Sequence, residues 1–300
     1  MRPWVLIDLS YLAHRARYAT KDLQWEDFCT GVLFGFWEQL RAICSDWRVR
    51  SNRVLLCFDS RQSYRRLSYP QYKAHRREDL TAEERAQIQV MHDQVNLLRS
   101  EILPAVGFQI CRQTGCESDD VMAQIASQIE SSPDQTAIMI TADGDLWQCI
   151  TPRVSWYDPA RERLFDPSSF CAAKGISPTH WGMVKAIAGC DGDGVEGIRG
   201  VGWKTAVRYL NKELPPHHKT YASIISPEGK AVIERNKTLV VLPHPKTQPV
   251  ELREPDYSTE AFFSFCERYG FRTYLKEPKQ SEWKAFLTGG RVKTRKRGAT

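Results

Sequence analysis

No run of apolar residues in the 300-residue sequence approaches the roughly 20 that a membrane-spanning helix needs, so a helical membrane protein is not expected. A secretory signal is missing too: Met1-Arg-Pro-Trp-Val-Leu-Ile-Asp8 holds only a short apolar stretch and meets a charge at once. An intracellular protein is the expectation. Nine cysteines are present, an odd number, and none forms a C-x-x-C pair. That argues against a disulfide framework and a zinc site, and for reduced cysteines used in packing. Internal repeats and low-complexity core segments are also absent.

What is present is the composition of a folded domain, with 42% hydrophobic and 26% charged residues and a chain long enough to bury a large core. The net charge of +6 agrees with a polyanionic partner without proving one. Its distribution says more. Arg61, Arg65, Arg66, Lys73, Arg76 and Arg77 fall within one short window. A second basic cluster, Arg291-Val-Lys-Thr-Arg-Lys-Arg297, reads as a disordered arm.

Three short apolar runs, Trp4–Ile7, Val54–Phe58 and Ala137–Thr141, read as buried strands. Helical periodicity flanks two of them, the pattern of parallel strands joined by crossover helices. Thr81-Ala-Glu-Glu84 is a capping box that opens a helix whose apolar stripe, Ile88, Met91, Val95, Leu98 and Ile102, keeps to one face. Pro104 is expected to follow its end. A second helix is expected from Asp119 to about Glu130, and a further strand at Val154–Tyr157. Beyond that strand glycines cluster from Gly189 to Gly202, helical pattern dominates, and Pro243 to Pro255 reads as an extended connector. The expectation is an α/β domain with a mostly parallel central sheet to about residue 176, then a mostly helical region.

Each apolar run delivers aspartate where it ends: Asp8, Asp59, then Asp143 and Asp145. In an open parallel sheet, ligands bind outside the carboxyl ends of the strands. A fourth segment, Glu117-Ser-Asp119-Asp120, starts a helix and can add three more acids. Two like charges about 4 Å apart repel by roughly 4 kcal/mol at a protein surface. Such a cluster persists only if protons or cations neutralise it. Oxygen ligands with no accompanying His or Cys suit magnesium or manganese. A single Asp after a strand is more often a turn or cap residue, but the coincidence of four segments favours a metal site.

Lys73 and Arg76 lie three apart, so in a helix they share a face, close in sequence to Asp59. Cations beside a metal cluster suit a phosphodiester, whose transition state gains negative charge. Gly197-Ile-Arg-Gly200-Val-Gly202-Trp-Lys204-Thr-Ala206 lies between two helical patterns. Its glycines permit close backbone approach, and the amides that follow can hold a phosphate. It is neither a Rossmann fingerprint nor a Walker loop. It resembles the helix–hairpin–helix element that grips DNA backbone without reading bases. Aspartyl phosphatases need D-x-D after the first strand, and Asp8-Leu-Ser10 fails that pattern.

Taken together, these blocks resemble the 5′-nuclease superfamily: flap endonucleases, phage 5′–3′ exonucleases and the 5′-nuclease domain of bacterial DNA polymerase I. The matching residues are Ile7-Asp8 with Arg15, Phe58-Asp59, Tyr72-Lys73-Ala-His-Arg76, Glu117-Ser-Asp-Asp120, Thr141-Ala-Asp143-Gly-Asp145-Leu146, and Asp193 through Ala206. The resemblance implies a catalytic domain over 1–176 with a helical arch near 70–104, a helix–three-turn–helix DNA-binding region over 177–287, and a basic tail over 288–300. It implies that Asp8, Asp59, Glu117, Asp119, Asp143, Asp145 and Asp193 surround two magnesium ions, with manganese able to substitute, and that Asp120 lies close to them. Lys73 and Arg76 match the cations that engage the scissile phosphate, and Arg15 a DNA-contacting arginine. Gly200, Gly202 and Lys204 match the phosphate-binding hairpin, which in relatives can hold potassium.

The implied activity is metal-dependent hydrolysis of DNA near free 5′ ends, flaps and nicks during replication or repair, with RNA–DNA hybrid as a further substrate. A monomer is expected, working with replication proteins in the cytoplasm of a bacterial or phage-infected cell and not at a membrane. Two departures stand out. The first hairpin acid of the family is here Cys190, with Asp191 displaced by one position, and His14 precedes Arg15 where many relatives carry an aromatic. A catalytically weak DNA-binding protein is the alternative from another class, and the retained acids argue against it.

Overall fold

In the computed structural model, which describes residues 2–20, 22–74 and 80–290, the expected apolar runs are strands at Trp4–Asp8, Val54–Cys57 and Ala137–Ile140. Their apolar residues are buried throughout, as strands covered on both faces require. The chain divides into two compact units, one of Met1–Phe58, Thr81–Cys111 and Glu251–Thr300, the other of Asp59–Leu80 and Arg112–Val250.

The first unit carries three parallel strands. Trp4–Asp8 pairs Val54–Cys57 with Ile7 opposite Leu56, and that strand pairs Gln109–Cys111 with Leu56 opposite Ile110. The crossover from the first strand to the second runs through the helices Leu9–Ala19 and Gly31–Ser45, as parallel pairing demands. Thr30 makes no side-chain cap on the second helix. The cap comes from far along the chain: buried Gln94 Oε1 accepts from the amides of Val32 and Leu33 at 2.9 and 3.1 Å. A polar residue inside an apolar stripe is thereby satisfied, and two orphan amides with it.

Thr81 and Glu84 form the expected capping box of the helix Ala82–Leu97. Pro104 does not follow the end of this helix. The turns continue through a π-helical stretch, Leu98–Ile102, into Leu103–Val106, and Gly107 at φ 94° stops them. Pro104 falls in the first turn after the widened stretch, where its missing N–H costs little.

Trp37, fully buried, gathers the aromatic core of this unit. Its ring centroid lies 5.1 Å from Phe262, 5.6 Å from Phe108 and 5.6 Å from Trp283. Phe262 and Trp283 come from the helices Thr259–Arg268 and Lys279–Leu287. The apolar faces of these helices therefore join the first unit, and the stretch 177–287 is shared between the two units.

In the second unit Ala137–Ile140 pairs Val154–Asp158 in parallel, and Arg163–Phe165 pairs back antiparallel. The helix Ser118–Glu130 opens at Glu117. Trp147, Trp156, Phe165, Phe170 and Trp181 pack together with centroids 5.3 to 5.8 Å apart, Trp156 and Phe165 stacked and the other pairs edge to face or tilted. Helices Trp181–Ala188 and Trp203–Leu210 flank a short antiparallel ladder in which Val195 pairs Cys190. The fold is α/β with a mostly parallel sheet, as expected. Among the described residues no helix is long and apolar enough to cross a membrane.

Candidate functional site

Three acids gather where Ser118–Glu130 begins, all within the second unit. Asp59 Oδ1 accepts from the Ser118 amide at 2.9 Å, and Asp119 Oδ1 accepts from the Asp120 amide at 2.8 Å. A helix start suits carboxylates because its free amides and the dipole both favour negative charge. Glu117 is the N-cap residue of the same helix, and its carboxylate also has two side-chain partners. Tyr72 Oη donates to its Oε2 at 3.0 Å and Lys73 Nζ to the same oxygen at 2.7 Å.

Lys73 also ties Glu117 to the glycine-rich segment. Its backbone amide donates to the Asp193 carbonyl at 2.8 Å, and its ammonium lies 4.0 Å from Asp193 Oδ1. Its φ of 57° shows a left-handed turn, not a helix. The shared helical face expected for Lys73 and Arg76 therefore does not form at Lys73, because the turn is what carries the ammonium to the acids. Arg76 and residues 291–300 of the basic tail lie outside the described residues. Burial opposes the charge on Lys73, but Asp119, Glu117 and Asp193 outweigh it and hold the ammonium pKa above its ordinary value.

A second lysine performs the same service on the other side. Asp143 and Asp145 follow Ala137–Ile140 in a loop pinned by Trp156, whose Nε1 donates to the Asp143 carbonyl at 2.9 Å, and by Gln148, whose Nε2 donates to the Asp145 carbonyl at 2.8 Å. Lys185 Nζ lies 2.5 Å from Asp145 Oδ1 and donates to Cys190 Sγ at 3.3 Å. The composition of this corner was not expected. Asp145, Cys190 and Asp193 offer donor atoms that all lie within 4.8 Å of one another, so a thiol does accompany the carboxylates.

The electrostatics record the crowding. Asp143 keeps a solvent-facing edge, yet the protein packed around the rest of it, and next the charge of Asp145, push its pKa up to about 6. Burial holds the Asp119 carboxyl well above its usual range, against the pull of Arg65 and with Asp120 adding to the rise. Burial, then Asp145, pushes the Cys190 thiol up to about 11. Among the described residues, Lys73 and Lys185 each place an ammonium against these acids.

Asp120 stands apart. Burial opposes its charge, but Arg65 more than compensates and lowers its pKa. The Arg65 fork donates to its two oxygens at 2.6 and 2.7 Å, the Glu117 amide donates to Oδ2 at 3.1 Å, and the His244 amide to Oδ1 at 2.7 Å. A carboxylate has about four lone-pair positions, and all four are engaged. Asp120, which the family resemblance puts close to the metals, has none left for an ion. In the sequence Arg65 is one member of a basic window; burial is what distinguishes it, and no local pattern reports that. Lys185 had no sequence signal at all.

Asp8 and Arg15 belong to the first unit. Asp8 accepts from the Tyr11 amide at 3.4 Å and so caps the helix Leu9–Ala19, while Arg15 donates to Tyr11 Oη at 3.3 Å.

In the hairpin, glycines serve two purposes. A Cβ on Gly197 would stand 2.1 Å from the Ala188 carbonyl, and one on Gly189 2.4 Å from the Gly197 amide, so these two permit the short ladder to close. Gly200 has φ 78°, yet a Cβ there, or on Gly202, would meet nothing within 4 Å. Gly202 precedes the helix that carries exposed Lys204, and its backbone lies open to whatever approaches.

The family model described as "5′-3′ exonuclease, N-terminal resolvase-like domain" matches residues 3–175. The thermostable DNA polymerase I of Thermus thermophilus is 29% identical over 288 residues, which cover 91% of this chain and 33% of that protein. DNA polymerase I of Mycobacterium bovis is 30% identical over 217 residues, 69% of this chain and 22% of that one. The chain thus spans a third or less of the length of these curated relatives. Among solved structures, the T5 D15 protein co-crystallised with metal ions superposes with a TM-score of 0.64 at 18% identity, covering 96% of this chain and 98% of that one. Human GEN1 in complex with Holliday junction DNA gives 0.57 at 12% identity, covering 95% and 71%. At these identities the structures speak for the fold alone. The family model, by contrast, matches more than half of the sequence, and it covers the segments that carry the acids from Asp8 to Asp145: the chain belongs to the 5′–3′ exonuclease family.

Proposed function

We propose that this chain is a structure-specific, divalent-metal-dependent 5′ nuclease that hydrolyses phosphodiesters of DNA near free 5′ ends, flaps and nicks. The observation that carries the reading is the crowd of carboxylates in the second unit neutralised by two ammonium groups, Lys73 and Lys185. Such a crowd is costly to fold and has a use where a polyanion and cations must meet. The donors are mostly hard oxygens, which suits magnesium, with manganese as a substitute. When bound, two such ions supply activated water and neutralise the attacking and leaving oxygens.

Asp59, Glu117, Asp119, Asp143, Asp145 and Asp193 are the proposed ligands, directly or through water, with Asp8 as the contribution of the first strand. Lys73 moves from Glu117 to the scissile phosphate and stabilises its developing charge, with Arg76 in the same role. Gly200, Gly202 and Lys204 hold duplex backbone, where a potassium ion would also sit, and Arg15 meets the strand near the reacting end. The catalytic part is proposed as residues 1–176, the duplex-binding part as 177–287, and 288–300 as a basic tail. RNA paired to DNA is a further substrate, and the setting is replication or repair in a bacterial or phage-infected cell by a monomer.

The test is digestion of 5′-labelled flap, nicked and blunt duplexes. Cleavage should appear with magnesium, vanish in excess chelator and return with magnesium or manganese. Lys73→Ala should lower the single-turnover rate by about 10²–10³ while duplex affinity changes little. Binding without cleavage under every metal condition would favour the catalytically weak DNA-binding protein.

The hairpin has its own test. Gly202→Ala meets open space at an ordinary φ, so thermal stability should stay within about 0.5 kcal/mol of the parent. If phosphate approaches those amides, duplex binding by fluorescence anisotropy should weaken about tenfold, roughly one lost backbone hydrogen bond. Gly197→Ala should do the reverse and lower the melting temperature first. Unchanged affinity in Gly202→Ala would remove the hairpin from the DNA interface.

A further inference from the structure

We propose that Asp145, Cys190 and Asp193 form a mixed sulfur–oxygen cation site that takes a borderline or soft divalent ion, such as cadmium or zinc, through the Cys190 thiolate. The inference rests on the metal-site reading above and deepens it. It concerns which ion this corner selects.

Geometry supplies the first argument. Metal–donor bonds of about 2.0–2.3 Å let two donors on one ion stand up to about 4.5 Å apart. Cys190 Sγ and Asp145 Oδ2 are already 3.9 Å apart, and the three donors lie within 4.8 Å, so a small side-chain rotation closes the set. The backbone that carries them is held. Cys190 pairs Val195 in the short ladder, and the Asp193 carbonyl accepts from the Lys73 amide. Gly189 and Gly197 approach so closely that neither has room for a Cβ.

Charge supplies the second argument. Lys185 Nζ, 2.5 Å from Asp145 and 3.3 Å from Cys190 Sγ, is a monovalent cation seated beside two of the three donors. Its flexible stem lets it withdraw when a divalent ion arrives. Chemistry supplies the third. A carboxylate at position 190 would make the corner all oxygen and suited to magnesium, whereas thiolate sulfur shifts preference toward softer ions. Binding forms the sulfur–metal bond and releases the thiol proton to solvent.

The experiment titrates the 300-residue chain with cadmium chloride, without DNA, and follows sulfur-to-metal charge-transfer absorption in the near ultraviolet. One equivalent should produce the band in the parent. Cys190→Ser should lack it and bind cadmium at least about tenfold more weakly, as should Cys190→Asp, which exchanges sulfur for oxygen. Lys185→Met, which removes the competing ammonium, should strengthen the band and tighten binding about tenfold. It keeps the proposal testable if the position-190 variants fail to fold. A band of equal size in Cys190→Ser would place the thiolate among the other eight cysteines and overturn the proposal. Absence of a band at stoichiometric cadmium in both the parent and Lys185→Met would overturn it as well. Magnesium-dependent flap cleavage by the parent is read separately: cleavage without the band ends only this inference, and the band without cleavage ends only the nuclease reading.

Discussion

Asp193→Ala should lower magnesium-dependent flap cleavage by more than about a hundredfold, while Asp191→Ala should stay within about twofold of the parent. A loss of 10- to 100-fold is typical even for partners outside the ligand shell of a metal, so a ligand should exceed it. The two aspartates stand two residues apart on a glycine-rich turn, and geometry separates them. Asp193 is buried, lies 4.0 Å from Lys73 Nζ, accepts from Tyr72 Oη at 3.4 Å and belongs to the donor set with Asp145 and Cys190. Asp191 is exposed and is not one of those donors. A one-residue shift in a helical turn rotates a side chain by about 100°, and the chain does not flex to undo it here. Single-turnover rates over a magnesium series, with melting curves to confirm folding, decide the matter. Equal damage from the two variants would show that the displaced acid has taken over the role vacated at Cys190.

Arg65→Ala should destabilise the protein by about 3–5 kcal/mol, the range for breaking a buried ion pair from one side. For a chain of this size that is a fall in melting temperature of about 5–8 °C. Arg65 and Asp120 are each 1% exposed, and the guanidinium also donates to the carbonyls of Leu239 at 2.7 Å and Val241 at 3.3 Å. One side chain thus joins the start of Ser118–Glu130 to the end of Pro227–Val240. The variant leaves a buried carboxylate and two carbonyls without their donor. The sign of the pH dependence follows from Asp120, whose pKa Arg65 lowers. A depressed carboxylate contributes stability that is present above its unfolded pKa, about 3.9, and lost as pH falls below it. The gap between parent and variant should therefore be full at neutral pH and shrink in acid, where the orphaned Asp120 can take a proton. Arg65→Met with Asp120→Leu should recover most of the loss, because no charge is then stranded. A single variant within 1 kcal/mol of the parent would mean that the fork is dispensable.

Much of this protein is legible in one dimension. The three strands, the capping box at Thr81 and the aspartates that end the strands are local: each depends on a run of apolar residues or on a spacing of three, and the chain keeps those wherever it goes. The hairpin is legible for the same reason, since the glycines of Gly197 to Gly202 permit backbone shapes that few other residues do. Assignments that depended on what lies across space were beyond that reading. Pro104 sits inside a helix because a π-helical stretch ahead of it absorbs the defect, and Gln94 is buried because two amides 61 and 62 residues away need an acceptor. Asp120 looked like its neighbours in the sequence, but Arg65, 55 residues away, engages both of its oxygens. Lys185 carries no motif, and Cys190 read as a lost acid until the fold set its sulfur 3.9 Å from Asp145. Spacing along the chain determines which residues can share a strand end or a helix start. Only packing decides which charges are neutralised and by what, because Coulomb energies depend on distance and burial, and neither is a property of sequence position.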